Sequence, residues 1–357
     1  MTTVERAEAL VGAALPLPDL CLSSVKDLTQ LVEQELSHPE ILDDFQTYGK
    51  IQARAMAPVC ILHVVSSNTP MAALQSLIRG LLLGSRNWVK LPTGGLSEVD
   101  AFVQRLPVEL QALVITSETL EDAWMREAEV VVVFGSDETI THFRQRCRPN
   151  QTFLAHGHKI SFGIVYDDAD TSLAGAAADV CRYDQKGCLS LHTVYVDVMR
   201  CGTVHAYGER LAEAMRDYVS IHPIGERTDG ERTEIQHLRG SYAFRAANDP
   251  RVSVFESEGS TEWTVICEED PLLAASCTNC VVYVKPLPTP LADQLFMVQP
   301  YLSTVAIWPF DMDTARSLSD LGATRISAMG KSQAPSFFWH QDGMPALANM
   351  VRWIDVG

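Results

Sequence analysis

Long apolar runs are missing from this 357-residue chain. No stretch approaches the roughly 18 consecutive apolar residues that a membrane-crossing helix needs, which excludes an α-helical membrane protein. Positive charge is also scarce. Against 45 Asp and Glu there are 28 Lys and Arg, a formal charge of −17 and a pI near 5.0. That balance excludes a nucleic-acid scaffold or a polybasic membrane binder. The nine cysteines are too dilute for a disulfide-stapled mini-domain, and their odd number leaves at least one unpaired. The opening MTTVERAEAL has neither the basic start nor the apolar core of a signal peptide. Reduced thiols in a cytoplasm are therefore expected. There is no internal repeat or low-complexity segment, and Pro286–Pro290 is too short to be more than a loop.

What is present is an ordinary globular composition: 46% hydrophobic, 20% charged, mean hydropathy +0.02. Such a chain builds a large core and fits two domains better than one. The first 57 residues read as helices, Val25–Ser37 and Glu40–Arg54. From there strand and helix patterns alternate. Pro58–Ser66, Trp88–Leu91, Leu113–Thr116, Val130–Phe134 and Ile160–Tyr166 are short apolar or β-branched runs. Between them, Thr69–Arg86 and Ser97–Leu110 carry apolar residues at helical spacing. This alternation predicts a doubly wound parallel sheet covered on both faces. After Asp184 the pattern changes: a helix over Val204–Tyr218, a polar stretch Gly225–Arg239 with no evident core face, then strands at Val252–Glu256, Trp263–Cys267, Cys280–Lys285 and Thr304–Trp308.

Four segments put polar residues where an open α/β sheet binds ligands, at strand ends and helix starts. Ser66-Ser67-Asn68-Thr69-Pro70 offers the Asn68 amide, which serves equally well as a helix N-cap. Lys90 sits in the apolar strand WVKL and must either reach solvent or meet an anion. Gly135-Ser136 follows VVVF and opens a helix, where backbone N–H groups can hold a phosphate. The fourth, Tyr183–His192, contains Gly187-Cys188 flanked by polar residues. If Cys188 opens a helical turn, the helix start lowers its thiol pKa and supplies oxyanion donors. His192, four residues on, is then its candidate partner. Cys277 and Cys280 have a C-x-x-C spacing, but no second pair exists with ligand spacing, so no metal is expected.

Taken together, SSNTP, VKLP, VVVFGSDETI, AHGHKISFGIV, DQKGCLSLHTVYV, WTV at 263–265 and the tail WHQDGMPALANMVRWID resemble, in order and spacing, the aldehyde dehydrogenase superfamily. Within it the chain is most similar to the LuxC-type acyl-CoA reductases. The resemblance spans about residues 58–355 and implies an α/β aldehyde dehydrogenase-like fold: a Rossmann-like cofactor domain plus a second α/β catalytic domain. The expected boundaries are 1–183 for N-terminal helices and cofactor domain, 184–332 for the thiol domain, and 333–357 for a tail packing back on the body.

The resemblance also implies roles. Cys188 would take the acyl group of a thioester, carried by CoA or an acyl carrier protein, with the Asn68 amide and the Cys188 backbone N–H as oxyanion donors. Hydride from NADPH, rather than NADH, would release the aldehyde. Lys90 would hold the adenosine ribose or its 2′-phosphate, Gly135-Ser136 the pyrophosphate, and Arg86 is a further phosphate contact. Aldehyde-oxidising relatives carry a water-activating Glu about where Ala155 falls, and its absence favours reduction over hydrolysis. His156 or His158 could replace that base, or simply be histidines bonded to backbone at a strand edge. Asp342 sits in the matching tail without an assigned role. A cluster at Arg144, Arg146 and Arg148 is either a dock for an acidic carrier or a solvated helix face. Family members associate as homo-oligomers sharing an edge strand. The alternatives are a cysteine acyltransferase or thioesterase that uses Cys188 without hydride transfer, and a non-catalytic acyl-binding partner.

Overall fold

In the computed structural model, which describes residues 1–68 and 70–357, the chain opens with two helices, α1 (Thr3–Ala14) and α2 (Val25–Leu36). Each begins with a capping box, Thr2 with Glu5 and Ser24 with Asp27, which satisfies amides that would otherwise lack partners. The helix expected over Glu40–Arg54 is instead a hairpin of β1 (Gln46–Tyr48) and β2 (Ile51–Met56). Its buried residues, Ala53 and Ala55, fall at every second position, and Gly49 takes φ +62° in the two-residue turn. Strand periodicity and a primed turn override the local helical reading.

The next elements form a five-stranded, all-parallel sheet: β3 (Cys60–Val64), α3 (Pro70–Leu83), β4 (Arg86–Lys90), α4 (Ser97–Arg105), α5 (Val108–Gln111), β5 (Val114–Ser117), α6 (Asp122–Glu127), β6 (Val130–Phe134), α7 (Asp137–Arg146) and β7 (Thr152–His156). Thr69, expected to open α3, lies outside the described residues. The strand order is β5-β4-β3-β6-β7, so the winding reverses between β3 and β6. Every residue of β3 and β6 is buried, as expected of strands covered on both faces. Pro107 divides the helix expected over Ser97–Leu110 into α4 and α5.

The fifth strand-like run, Ile160–Tyr166, does not join this sheet. β8 (Ile160–Val165) starts a second unit, Lys159–Gln333, while Met1–His158 and Ala334–Gly357 form the first. The boundary therefore falls at His158/Lys159 rather than after residue 183, and the tail belongs to the first unit. Its strand Arg352–Val356 pairs antiparallel with β2. The second unit continues with α8 (Ala169–Cys181), β9 (Leu191–Val196), α9 (Val198–Cys201), α10 (Val204–Ile221), α11 (Asp229–Asn248), β10 (Val252–Glu256), β11 (Thr264–Glu268), β12 (Val281–Pro286), α12 (Ala292–Leu295), β13 (Leu302–Trp308), α13 (Met312–Ser317) and β14 (Arg325–Ala328). Its sheet runs β10-β11-β12-β9-β8-β13-β14. The polar stretch Gly225–Arg239 turns out to enter a helix. A capping box of Thr228 with Glu231 starts α11, and only Ile235 and Arg239 are buried along it. Arg239 holds the helix down by donating to Thr264 Oγ1, Ser260 O and Trp263 O at 2.9, 2.7 and 2.7 Å. Its apolar side is confined to Ile235, Leu238 and Tyr242, too short a stripe to stand out among the polar residues of the sequence.

Inside the first unit His63, on β3, is fully buried. Its Nε2–H donates to Asn87 Oδ1 at 2.9 Å, and Nδ1 accepts from Ser76 Oγ at 2.7 Å. Burial pushes the imidazole pKa down to about 4 from 6.5, so the folded state holds it neutral. The unfolded chain binds the proton first on acidification. The stability contribution is therefore complete above pH 6.5 and is lost as pH falls towards 4. At pH 5 the expected loss is about 2 kcal/mol. Urea denaturation at pH 7.5 and 5 should show it, and a His63→Gln variant should lose distinctly less over the same interval. Parallel pH slopes in the two proteins would refute the assignment.

Candidate functional site

Because the strands of the five-stranded sheet are all parallel, their C-terminal ends share one edge, where open α/β sheets receive ligands. Asn68 follows β3 and is exposed two residues ahead of α3. Lys90 is the last residue of β4 and is half-buried, in register with Val64 of β3 and Ser117 of β5. Among the described residues no carboxylate pairs with it. Gly135 follows β6, and Ser136 caps α7, its hydroxyl accepting from Thr139 N at 3.3 Å. A Cβ on residue 135 would lie 2.9 Å from Thr139 Cγ2, so any other residue at this turn would have to displace Thr139. The edge thus brings together Asn68, Lys90, Gly135 and Ser136. A helix start behind a glycine turn, flanked by a lysine without a carboxylate partner, is a donor set that fits the phosphates of a dinucleotide. Arg86, the further expected contact, lies at the opposite end of β4, with its guanidinium over the Trp88 ring.

His156, the last residue of β7, joins this edge. Its Nδ1 lies 2.6 Å from Asp342 Oδ2, and its ring stacks on Phe134 at 4.5 Å between centroids. The expected histidine bonded to backbone is therefore wrong for His156: its partner is a carboxylate from the tail, 186 positions away in sequence. Asp342 has φ +55°, and its Oδ1 is buried with no partner among the described residues. Sequence reading flagged both residues separately, but nothing local links them. The His158 side chain is exposed, and its backbone N donates to Asp137 Oδ1 at 3.3 Å.

Cys188 and His192 belong to the second unit. Cys188 does not open a helix. Ser190 N donates to Gly187 O at 3.1 Å, closing a turn with Cys188 and Leu189 at its centre, and the chain leaves this turn as β9. The run LHTVYV is buried throughout, so strand burial decides the local structure. The helix-dipole activation expected for this thiol is consequently absent. Cys188 is half-buried, and its carbonyl accepts from Ser161 Oγ at 2.9 Å. His192 lies on β9, buried, with Nδ1 accepting from Ser276 N at 3.1 Å. The i+4 spacing that suggested a shared helical face here spans a turn and a strand.

Six of the other cysteines have thiols raised above the usual range. Burial pushes the thiols of Cys60 and Cys267 up to about 12 and that of Cys277 up to about 11. Burial also raises Cys147 and Cys201, and a hydrogen bond with Cys280, followed by burial, raises Cys181. Such thiols are poor nucleophiles near neutral pH. Among the described residues no group of His, Cys, Asp and Glu side chains is arranged to hold a metal ion. Arg144 lies over the Phe153 ring, Arg146 pairs with Asp122 at 2.8 Å, and Arg148 donates to Arg126 O. The basic cluster is thus engaged within its own unit. No described helix is long and apolar enough to cross a membrane.

Comparison with known proteins follows the same lines. A profile of the acyl-CoA reductase (LuxC) family matches residues 17–353. The long-chain acyl-protein thioester reductase of Photobacterium phosphoreum is 23% identical over 355 residues, which cover 94% of this chain and 70% of that protein. The long-chain acyl-protein thioester reductase 2 of Photobacterium leiognathi is 24% identical over 356 residues, 94% and 72% of the two chains. Among solved structures, an NADP-dependent glyceraldehyde-3-phosphate dehydrogenase from Bacillus halodurans complexed with NADP is 12% identical, with TM-score 0.69, covering 100% of this chain and 87% of that one. An NAD-dependent benzaldehyde dehydrogenase from Corynebacterium glutamicum is 15% identical, with TM-score 0.67 and coverage of 100% and 86%. At these identities the structural likeness establishes the fold alone, which is that of the aldehyde dehydrogenases.

Proposed function

This chain belongs to the acyl-CoA reductase (LuxC) family, and on that premise we propose that it reduces an acyl thioester to the aldehyde through an acyl-enzyme on Cys188, with NADPH as reductant. The observation that carries the reading is the dinucleotide-fitting edge of the first unit. Neither an acyltransferase nor an acyl-binding module needs one. When bound, the cofactor supplies hydride; Lys90, Gly135 and Ser136 would hold its phosphates. NADPH is taken as the reductant on the family's pattern, with Lys90 at the end of β4 as the contact for its 2′-phosphate.

Cys188 attacks the thioester carbonyl as its thiolate, forming one C–S bond while the substrate's thiol leaves as the other breaks. The exchange of one thioester for another is close to neutral in energy. On the family's pattern the Asn68 amide and the Cys188 backbone N–H would be the donors to the carbonyl oxygen as negative charge develops on it. After reduction the C–S bond to Cys188 breaks, releasing the aldehyde and restoring the thiolate. Ala155, on β7, offers no carboxylate to activate water, which supports reduction over hydrolysis of the acyl-enzyme. The substrate is an acyl-CoA or an acyl group on a carrier protein. All nine cysteines are free thiols, which supports a cytoplasmic setting. The C-terminal strand Arg352–Val356 is exposed along its length at the edge of its sheet, which supports homo-oligomers sharing that edge.

The test is to incubate the protein with a panel of acyl-CoAs and NADPH, following NADPH consumption, trapped aldehyde and the mass of the peptide containing Cys188. Aldehyde with stoichiometric NADPH loss is expected. An acylated Cys188 with no NADPH consumed would instead mean an acyltransferase or thioesterase. Asn68→Ala should lower kcat about 100–1,000-fold, the usual effect of deleting one oxyanion donor. An unchanged kcat in that variant would remove Asn68 from the site.

A further inference from the structure

The turn that carries Cys188 is fastened by side chains that a plain surface turn does not require. Gln185, fully buried, donates from Nε2 to Leu191 O and Val281 O, both at 2.7 Å, and accepts Val281 N at Oε1 at 2.8 Å. The first paired residues of β9 and β12 are Thr193 and Tyr283. Leu191 and Val281 therefore lie just ahead of that ladder, and the Gln185 carboxamide stands in for the missing peptide between them. The tie from Gln185 to Leu191 closes the base of the segment containing Cys188.

Two further bonds hold the tip. Ser161, buried on β8, accepts Thr304 N at 3.1 Å and donates to the Cys188 carbonyl at 2.9 Å. Gln333 donates to Ser190 Oγ at 2.6 Å. The approach to the turn is strained. Tyr183, Asp184 and Gln185 all take left-handed backbone, φ +55°, +55° and +60°. Thr278, Asn279 and Cys280, at +62°, +58° and +60°, form a matching run, and Asn279 N donates to Asp184 O at 3.0 Å. Successive non-glycine residues in this region persist only where their surroundings over-determine them.

We propose that Gln185 and Ser161 are positioning residues for Cys188, acting on the rate of acyl transfer and not on substrate binding. The inference rests on the acyl-enzyme reading above. Fixing the 185–191 segment at its base and the Cys188 peptide at its carbonyl sets the direction of the Cα–Cβ bond, and hence where sulfur meets a carbonyl carbon. A displacement of about 1 Å at such a point costs up to about 100-fold in rate.

The test uses full-length Gln185→Leu, Ser161→Ala and the double variant, with Cys188→Ala as control. Single-turnover acylation by acyl-CoA, steady-state kcat and KM, and melting temperature are measured. Each single variant should lose about 10- to 100-fold in acylation rate and kcat, with KM changed less than about threefold. Because both act through one turn, the double variant should lose less than the product of the two single losses. Should Gln185→Leu fail to fold, Ser161→Ala, which removes only one hydroxyl, decides the matter alone. Acylation rates within twofold of wild type would overturn the proposal, as would losses that vanish below each variant's melting range. If wild type is not acylated, or Cys188→Ala is acylated as fast as wild type, the acyl-enzyme reading fails instead.

Discussion

Cys188→Ala should abolish aldehyde formation while cofactor binding stays intact. The loss should be on the order of 10⁴-fold or more, the scale seen when a covalent nucleophile is removed. Alanine deletes the sulfur alone. The bonds that shape the turn use main-chain atoms at residue 188: Ser161 donates to its carbonyl, and Ser190 N reaches past it to Gly187 O. A variant that still melts within a few degrees of wild type shows that the defect is chemical. Cys60, Cys147, Cys201, Cys267 and Cys277 are poor substitutes for Cys188, since burial raises their thiols. NADPH titration followed by fluorescence should give matching affinities, because Lys90, Gly135 and Ser136 are untouched. Aldehyde production by the variant at a tenth of the wild-type rate or more would mean that Cys188 is not the nucleophile.

Gly80→Ala should destabilise the protein by about 2–4 kcal/mol, although alanine is the better helix former by about 1 kcal/mol. Gly80 lies on α3 where the helix meets β4 and β3. A Cβ there would stand 2.0 Å from Asn87 Oδ1 and 3.2 Å from His63 Nε2. Asn87 cannot give way freely, because its Nδ2 donates to Ser85 O at 2.7 Å and its Oδ1 accepts from His63. Expelling that carboxamide leaves the buried His63 N–H without a partner, which adds a desolvation penalty to the steric one. Against a total stability of about 5–15 kcal/mol this is a large fraction. Urea denaturation measures it, and Asn87→Ala in the same chain should recover part of the loss by removing the clash. A Gly80→Ala protein as stable as wild type would show that the close approach of α3 is relaxed in solution.

How much was legible beforehand depends on how local each cause is. Strands β3, β6, β8 and β13 announced themselves as short apolar or β-branched runs, because burial on both faces demands apolar residues at consecutive positions. Asn68, Lys90, Gly135 and Ser136 could be picked out because each sits where an apolar run breaks into polar or glycine residues, a change visible within a few positions. Cys188 was found beside Gly187 in the same way, but its local structure was misread. A cysteine after glycine says nothing about whether the chain continues as helix or strand. The buried neighbours of β9 decided that.

The sequence by itself therefore determined the alternating α/β order, the parallel sheets and the short list of chemical residues, since periodicity, turn glycines and the hydropathy of single elements act over a few residues. Only the tertiary structure decided the rest. It put β8 in the second sheet and paired the C-terminal strand with β2. It joined His156 to Asp342 and placed the Gln185 carboxamide between two strands. Each is a contact between residues far apart in the chain, made when burial leaves a polar group needing a partner. That requirement is a property of the packed interior and leaves no periodic trace in the sequence.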